Sequence, residues 1–117
     1  MALRPSEFEG AAAIDGFGPG FFRVGGQVHH GPVIVEQDTA IAWGGLDDLA
    51  PLVALGGRVD VLFLGMGADI AYAPRDLVDA LAGVGIQVEP MASSTAARIY
   101  NVTLSEGRRV ACALLPV

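Results

Sequence analysis

Arg98 and Asn101 stand one helical turn apart in the segment Ser93-Ser94-Thr95-Ala96-Ala97-Arg98-Ile99-Tyr100-Asn101. A guanidinium beside a side-chain amide supplies N–H donors suited to a carboxylate or phosphate. Arg108, beyond the helix stop at Glu106-Gly107, is placed to approach them. The same charges suit a second role, because Arg98, Glu106 and Arg108 can form an ion-pair network that locks the helix to a sheet. A further candidate is Gly65-Met66-Gly67, which follows the apolar run Val59 to Leu64. That is the strand end where open α/β sheets place ligands, and glycines there permit close backbone approach. It is not a dinucleotide fingerprint: the third glycine would fall at Ile70, and the following helix begins only near Pro74. The stretch serves as a tight structural turn or as a pocket floor. Combined with Arg98, Asn101 and Arg108, it would form a site for a small anionic ligand.

Other chemistries find no support. His29 and His30 are adjacent in a strand pattern, so their side chains point to opposite faces and do not chelate one metal. Cys112 is the single cysteine and sits in an apolar run, which makes it a buried thiol rather than a nucleophile. All seven basic residues are arginine, and without lysine there is no Schiff base, phosphate-loop lysine or covalent pyridoxal phosphate. Tyr100 falls on the packing arc of its helix and reads as core with a polar tip. Asp47-Asp48, Asp76 and Asp79 lie near helix starts, where the dipole favours carboxylates. No catalytic set, metal site or cofactor emerges, and the reading leans away from an enzyme. A net charge of -6 with scattered arginines opposes nucleic-acid binding.

The elements that position these residues follow from patterning. A chain of 117 residues, 52% hydrophobic, builds one core and is too short for two ordinary domains. Residues 1–13 read as an N-terminal arm and 14–117 as a single α/β domain. Phe21 to Val24 and Gln27 to His30 flank Gly25-Gly26, a hairpin turn, and Val33 to Val35 and Ala40 to Trp43 give two more short strands. Asp47-Asp48 starts a short helix that ends at Gly56-Gly57. Val59 to Leu64 lacks alternation, as a central strand covered on both faces should. Pro74 opens a helix with Leu77, Val78, Leu81 and Val84 on one face, and Gly85 follows as its stop. Ile86 to Met91 returns as a parallel neighbour, followed by the last helix and a strand over Val110 to Leu115. On that helix Ala96, Ala97, Ile99, Tyr100, Thr103 and Leu104 form the packing arc, opposite Ser94, Arg98, Asn101 and Ser105. The longest apolar runs are far below the ~20 residues of a membrane span. The start carries no secretory signal, which points to a cytoplasmic protein.

Read together, the hairpin, Gly31-Pro32-Val33, Trp43 at a strand end, Gly65-Met66-Gly67, Ala96-Ala97-Arg98-Ile99-Tyr100-Asn101-Val102 and Glu106-Gly107-Arg108-Arg109-Val110-Ala111 resemble one family. It is an uncharacterised-domain family that includes mitochondrial respiratory complex I assembly factor 3 and the adipogenesis-associated domain protein. The resemblance covers residues 14 to 116. It implies a three-layer α/β fold around a mixed central sheet, to which the pattern adds an N-terminal antiparallel hairpin. It also implies a non-enzymatic accessory protein that binds a protein partner in the biogenesis of a membrane complex. Such a protein would sit in the cytoplasm, peripheral to the inner membrane through its partner. The alternative function is the anionic-ligand protein or enzyme described above. Exposed hairpin edges also admit a homodimer. Met66 stands where the family commonly has threonine, and Ala92-Ser93-Ser94 where an aspartate-threonine pair is frequent.

Overall fold

A computed structural model describes residues 13–37 and 39–117; in these, five strands come first and three helices then alternate with three more strands. The expected arm lies outside the described residues except for Ala13. The strands are β1 (Ile14–Gly18), β2 (Phe21–Val24), β3 (Gln27–His30), β4 (Val33–Glu36), β5 (Thr39–Ala42), β6 (Val61–Met66), β7 (Gln87–Met91) and β8 (Val110–Leu115). The helices are α1 (Ala50–Val53), α2 (Arg75–Ala82) and α3 (Ser93–Ser105). β1, β2 and β3 form an antiparallel sheet, and the others a five-stranded mixed sheet ordered β5-β4-β8-β6-β7. β6 runs parallel to β7 and β8, whereas β4 pairs antiparallel with β5 and β8.

The period of two decides which residue faces which layer. Val110, Cys112 and Leu114 of β8, Phe63 of β6, and Val33 and Val35 of β4 pack toward α3 and the three-stranded sheet. Their neighbours Ala111, Ala113, Leu62, Leu64 and Ile34 pack toward α1 and α2, joined by Leu52, Leu77 and Leu81. Three layers result. Covering both faces of β6 and β8 removes the polar half of the usual strand pattern, which explains their unbroken apolar sequences.

The middle strand is β8 rather than the Val59 to Leu64 run expected there; β6 lies beside it. Ala111 and Ala113 share one core with α1 and α2 on one face of β8, while Val110, Cys112 and Leu114 pack with α3 on the other. Asp47-Asp48 does not cap α1 either. The cap position is Leu49, without a side-chain bond. The Asp48 carboxylate instead accepts from Gly44 N at 3.1 Å, and its carbonyl accepts from Trp43 Nε1 at 2.9 Å, so the residue closes a loop. Pro74 stands at the cap of α2 rather than inside its first turn. Gly85, at φ 81°, takes the left-handed turn as the chain leaves that helix for β7.

β1 was not visible in the sequence pattern because Asp15 bulges out of its pairing with β2. That bulge breaks the alternation on which strand recognition depends. Its carboxylate then serves the adjacent hairpin, accepting from Gly26 N at 2.9 Å and pairing with Arg23 Nε at 3.3 Å.

Candidate functional site

The parallel strands β6, β7 and β8 end at Met66, Met91 and Leu115, so these three lie along one edge of the sheet. β7 passes directly into α3 through Ala92. Ser93 is fully buried at the first position of that helix, where the cap residue Ala92 contributes no side-chain bond. The backbone N–H of Ser93 donates to Gly67 O at 2.8 Å, and Gly67 N donates back to Ser93 Oγ at 2.9 Å. The hydroxyl in turn donates to Leu115 O at 2.6 Å. One serine therefore ties the ends of β6 and β8 to the start of α3.

Gly65 is required by this closeness. A Cβ there would lie 2.6 Å from Ser93 Oγ, 2.8 Å from Ser93 Cα and 2.7 Å from Leu114 Cδ2. Gly67 has φ 96°, the left-handed region in which a side chain is strained. Met66, half-buried, turns toward α1 and α2. The Gly65-Met66-Gly67 stretch thus forms a closed seat for the helix. The N–H groups of Gly67 and Ser93, which an anion would need, are both spent within the chain.

The helix residues divide between scaffold and solvent. Ala96, Ala97, Tyr100 and Leu104 are buried as their spacing predicts. Asn101 faces β1: its Nδ2 donates to Ile14 O at 2.7 Å and its Oδ1 accepts from Ile14 N at 2.9 Å. It completes the start of a strand 87 residues away, as a neighbouring strand would. Arg98 is exposed, as are Glu106 and Arg108 beyond the helix, and none enters an ion pair among the described residues. Arg109 makes the contact instead, with Asp60 Oδ1 at 3.2 Å and Gly57 O at 3.3 Å. The structure brings Gly65 and Gly67 together with Ser93, while Asn101 is engaged at β1.

Tyr100 and Cys112 share the core beneath α3. The tyrosine side chain is fully buried, and its hydroxyl lies near the Gln37 backbone without a hydrogen bond of normal geometry among the described residues. Burial pushes its phenol above the ordinary range, with the nearby Cys112 adding to the shift. The thiol of Cys112 is itself raised by complete burial. Both are neutral at physiological pH, which suits packing. His29 borders a groove between β3 and β5, and His30 stands beside Phe21 with ring centroids 6.4 Å apart. Among the described residues no cluster of ligating side chains could hold a metal.

The loop from Gly67 to Pro74 carries no motif in the sequence. Ile70, Ala71 and Tyr72 line a cleft of about 480 Å³ against Pro90 of β7. Tyr72 is 98% exposed and Ile70 74%. Exposed apolar groups gathered at one place mark interaction surfaces more often than isolated ones do. The available signal was an isoleucine and a tyrosine in a loop between Asp69 and Pro74, where neither periodicity offers them a core. Among the described residues, no helix is long and apolar enough to cross a membrane.

Comparison with known proteins places this geometry among relatives. An uncharacterized protein of Rhodobacter capsulatus is 55% identical over all of this chain and 94% of its own length. The zebrafish (Danio rerio) NADH dehydrogenase [ubiquinone] 1 alpha subcomplex assembly factor 3 is 25% identical, covering 99% of this chain and 71% of that protein. The crystal structure of an outer membrane protein from Bartonella henselae superposes with a TM-score of 0.83 at 30% identity, over 94% of this chain and 98% of that one. Residues 14–115 match the family described as "Protein of unknown function (DUF498/DUF598)", and the chain belongs to that family.

Proposed function

We propose that this protein is a non-enzymatic accessory factor that docks a protein partner during biogenesis of a membrane complex, comparable to respiratory complex I. The observation that carries the reading is the exposed Ile70-Ala71-Tyr72 loop against Pro90. An aromatic side chain with almost its whole surface in water gains most by burial in a partner's pocket, and Pro90 offers a rigid wall beside it. Similarity to an assembly factor across nearly the whole chain supplies the class of function. Arg98, exposed on α3, gives a charged contact suited to the rim of an interface. In this reading the protein works in the cytoplasm and reaches the inner membrane through its partner.

The same observations weigh against the anionic-ligand alternative. Its floor is occupied by Ser93, and its amide donor Asn101 is engaged with Ile14. The test is affinity purification of tagged protein from native membrane and soluble fractions, comparing wild type, Tyr72→Ser and Arg98→Ala by quantitative mass spectrometry. The expected result is a stoichiometric membrane-complex subunit with wild type, largely lost with Tyr72→Ser and weakened with Arg98→Ala. A retained anionic metabolite without any protein partner would overturn the reading.

A further inference from the structure

The two edges of the five-stranded sheet are built differently. β7 carries Pro90, which has no N–H to offer, and the charged Glu89 beside it. Both features discourage a further strand. β5 reads Thr39-Ala40-Ile41-Ala42, with no charge, no proline and unbroken register against β4. Trp43 N donates to Pro32 O at 3.0 Å, which fixes the alternation of the antiparallel ladder. Ile41 and Thr39 turn their backbone groups toward Ile34 and Glu36, whereas Ala40 and Ala42 turn theirs outward. Among the described residues, no backbone group meets those outward amides and carbonyls. Ile41 is 48% exposed and borders an apolar groove of about 440 Å³ with Ile34, Pro51, Ala54 and Leu55. The charges at its rim, Arg58 and Glu36, already neutralise each other at 3.0 Å.

We propose that a second copy of this chain pairs with this edge, β5 against β5, about a twofold axis through Ile41. The outward groups of Ala40 then meet those of Ala42 of the partner subunit, and the reverse pair completes four backbone hydrogen bonds. Ile41 stands opposite Ile41 of the partner subunit at a non-hydrogen-bonded position, where facing Cα atoms lie about 4.5 Å apart and side chains touch. The two isoleucines close the two apolar grooves over one another. The occupant is a second copy because the edge is its own complement. The two outward alanines flank one isoleucine symmetrically, so the twofold matches every donor to an acceptor and apolar to apolar. The neutral centre of the contact tolerates two chains that each carry a net charge of -6.

Sedimentation velocity of the full chain over a concentration series tests this, alongside amide exchange at Ala40 and Ala42. Wild type should form a dimer, and protection of those two amides should rise with protein concentration. Ile41→Lys sets like charges face to face and should weaken the dimer by about tenfold or more. An equimolar mixture of Ile41→Lys and Ile41→Glu should restore it. The lysine variant lowers each chain's net negative charge, so general repulsion would predict the opposite change. If circular dichroism shows Ile41→Lys unfolded, Ala42→Pro removes one outward N–H per copy and should give the same monomer. A wild type monomeric at every concentration would overturn the proposal. So would a dimer indifferent to both folded variants, or amide protection independent of concentration, which would mean that the edge is covered by the chain itself.

Discussion

Two neighbouring stretches at the carboxyl end of β6 put their side chains to opposite uses. Gly65 to Gly67 is closed: Ser93 fills the space beside Gly65, and the C=O and N–H of Gly67 are both bonded to Ser93, at 2.8 and 2.9 Å. Ile70 to Tyr72 is open, with an apolar cleft against Pro90 and no element covering it among the described residues. A glycine-rich turn at a strand end invites the ligand interpretation, yet here its glycines serve the approach of a helix. The residues with surface left to bury are the ones that no motif highlights.

The strongest way to break this comparison is Gly65→Ala. The added methyl must displace the backbone of Ser93 as well as its hydroxyl, and overpacking of this kind should cost about 3 kcal/mol in urea unfolding. Tolerance of the alanine would mean that the seat is loose enough to admit a ligand. Ser93→Ala leaves Gly67 N and Leu115 O without the hydroxyl and should cost about 2 kcal/mol by the same measurement. Asn101→Ala removes both bonds to Ile14, with an expected loss of about 1–2 kcal/mol and faster amide exchange at Ile14. If Asn101 instead served a ligand, its loss would leave stability unchanged.

The fold was legible where burial imposes a period. The Val61 to Leu64 and Val110 to Leu114 runs, the 3.6-residue stripe of α3 and the Gly25-Gly26 turn all carry their structure in plain form. β1 was not legible because its bulge at Asp15 breaks the alternation and its first residue is held by Asn101, 87 positions away. The pattern places Ser93 at a helix start; that its hydroxyl reaches across to β6 and β8 depends on two strands meeting in space. The helical wheel puts Asn101 on the polar face, but it does not show that a second sheet lies against that face. Of the site, motif reading finds the glycines and the arginines; Tyr72 and Ile70 carry only the weaker signal of apolar side chains in a loop without a period.

Alkaline titration sharpens the picture of the core under α3. Tyr100 and Cys112 both hold their protons more tightly when folded than at their ordinary values of 10.0 and 9.0. Stability should be full below those values and fall as pH rises through them, by about 1.4 kcal/mol per pH unit for each group once the unfolded chain ionises. Tyr100→Phe removes a buried hydroxyl that lacks a hydrogen bond of normal geometry, so stability at pH 7 should be equal or slightly higher, and the slope above pH 10 should roughly halve. Melting curves between pH 7 and 11 check both. The smallest stability effect belongs to Tyr72→Ser, within about 0.5 kcal/mol, because that side chain touches little of its own protein.

Site-specific photo-crosslinking in native membranes tests the central claim most directly, with the reactive side chain placed at Tyr72 in one sample and at Glu106 in another. The account predicts that position 72 captures one membrane-complex subunit at high yield and that position 106 does not. No capture at position 72, or equal capture from both, would contradict it.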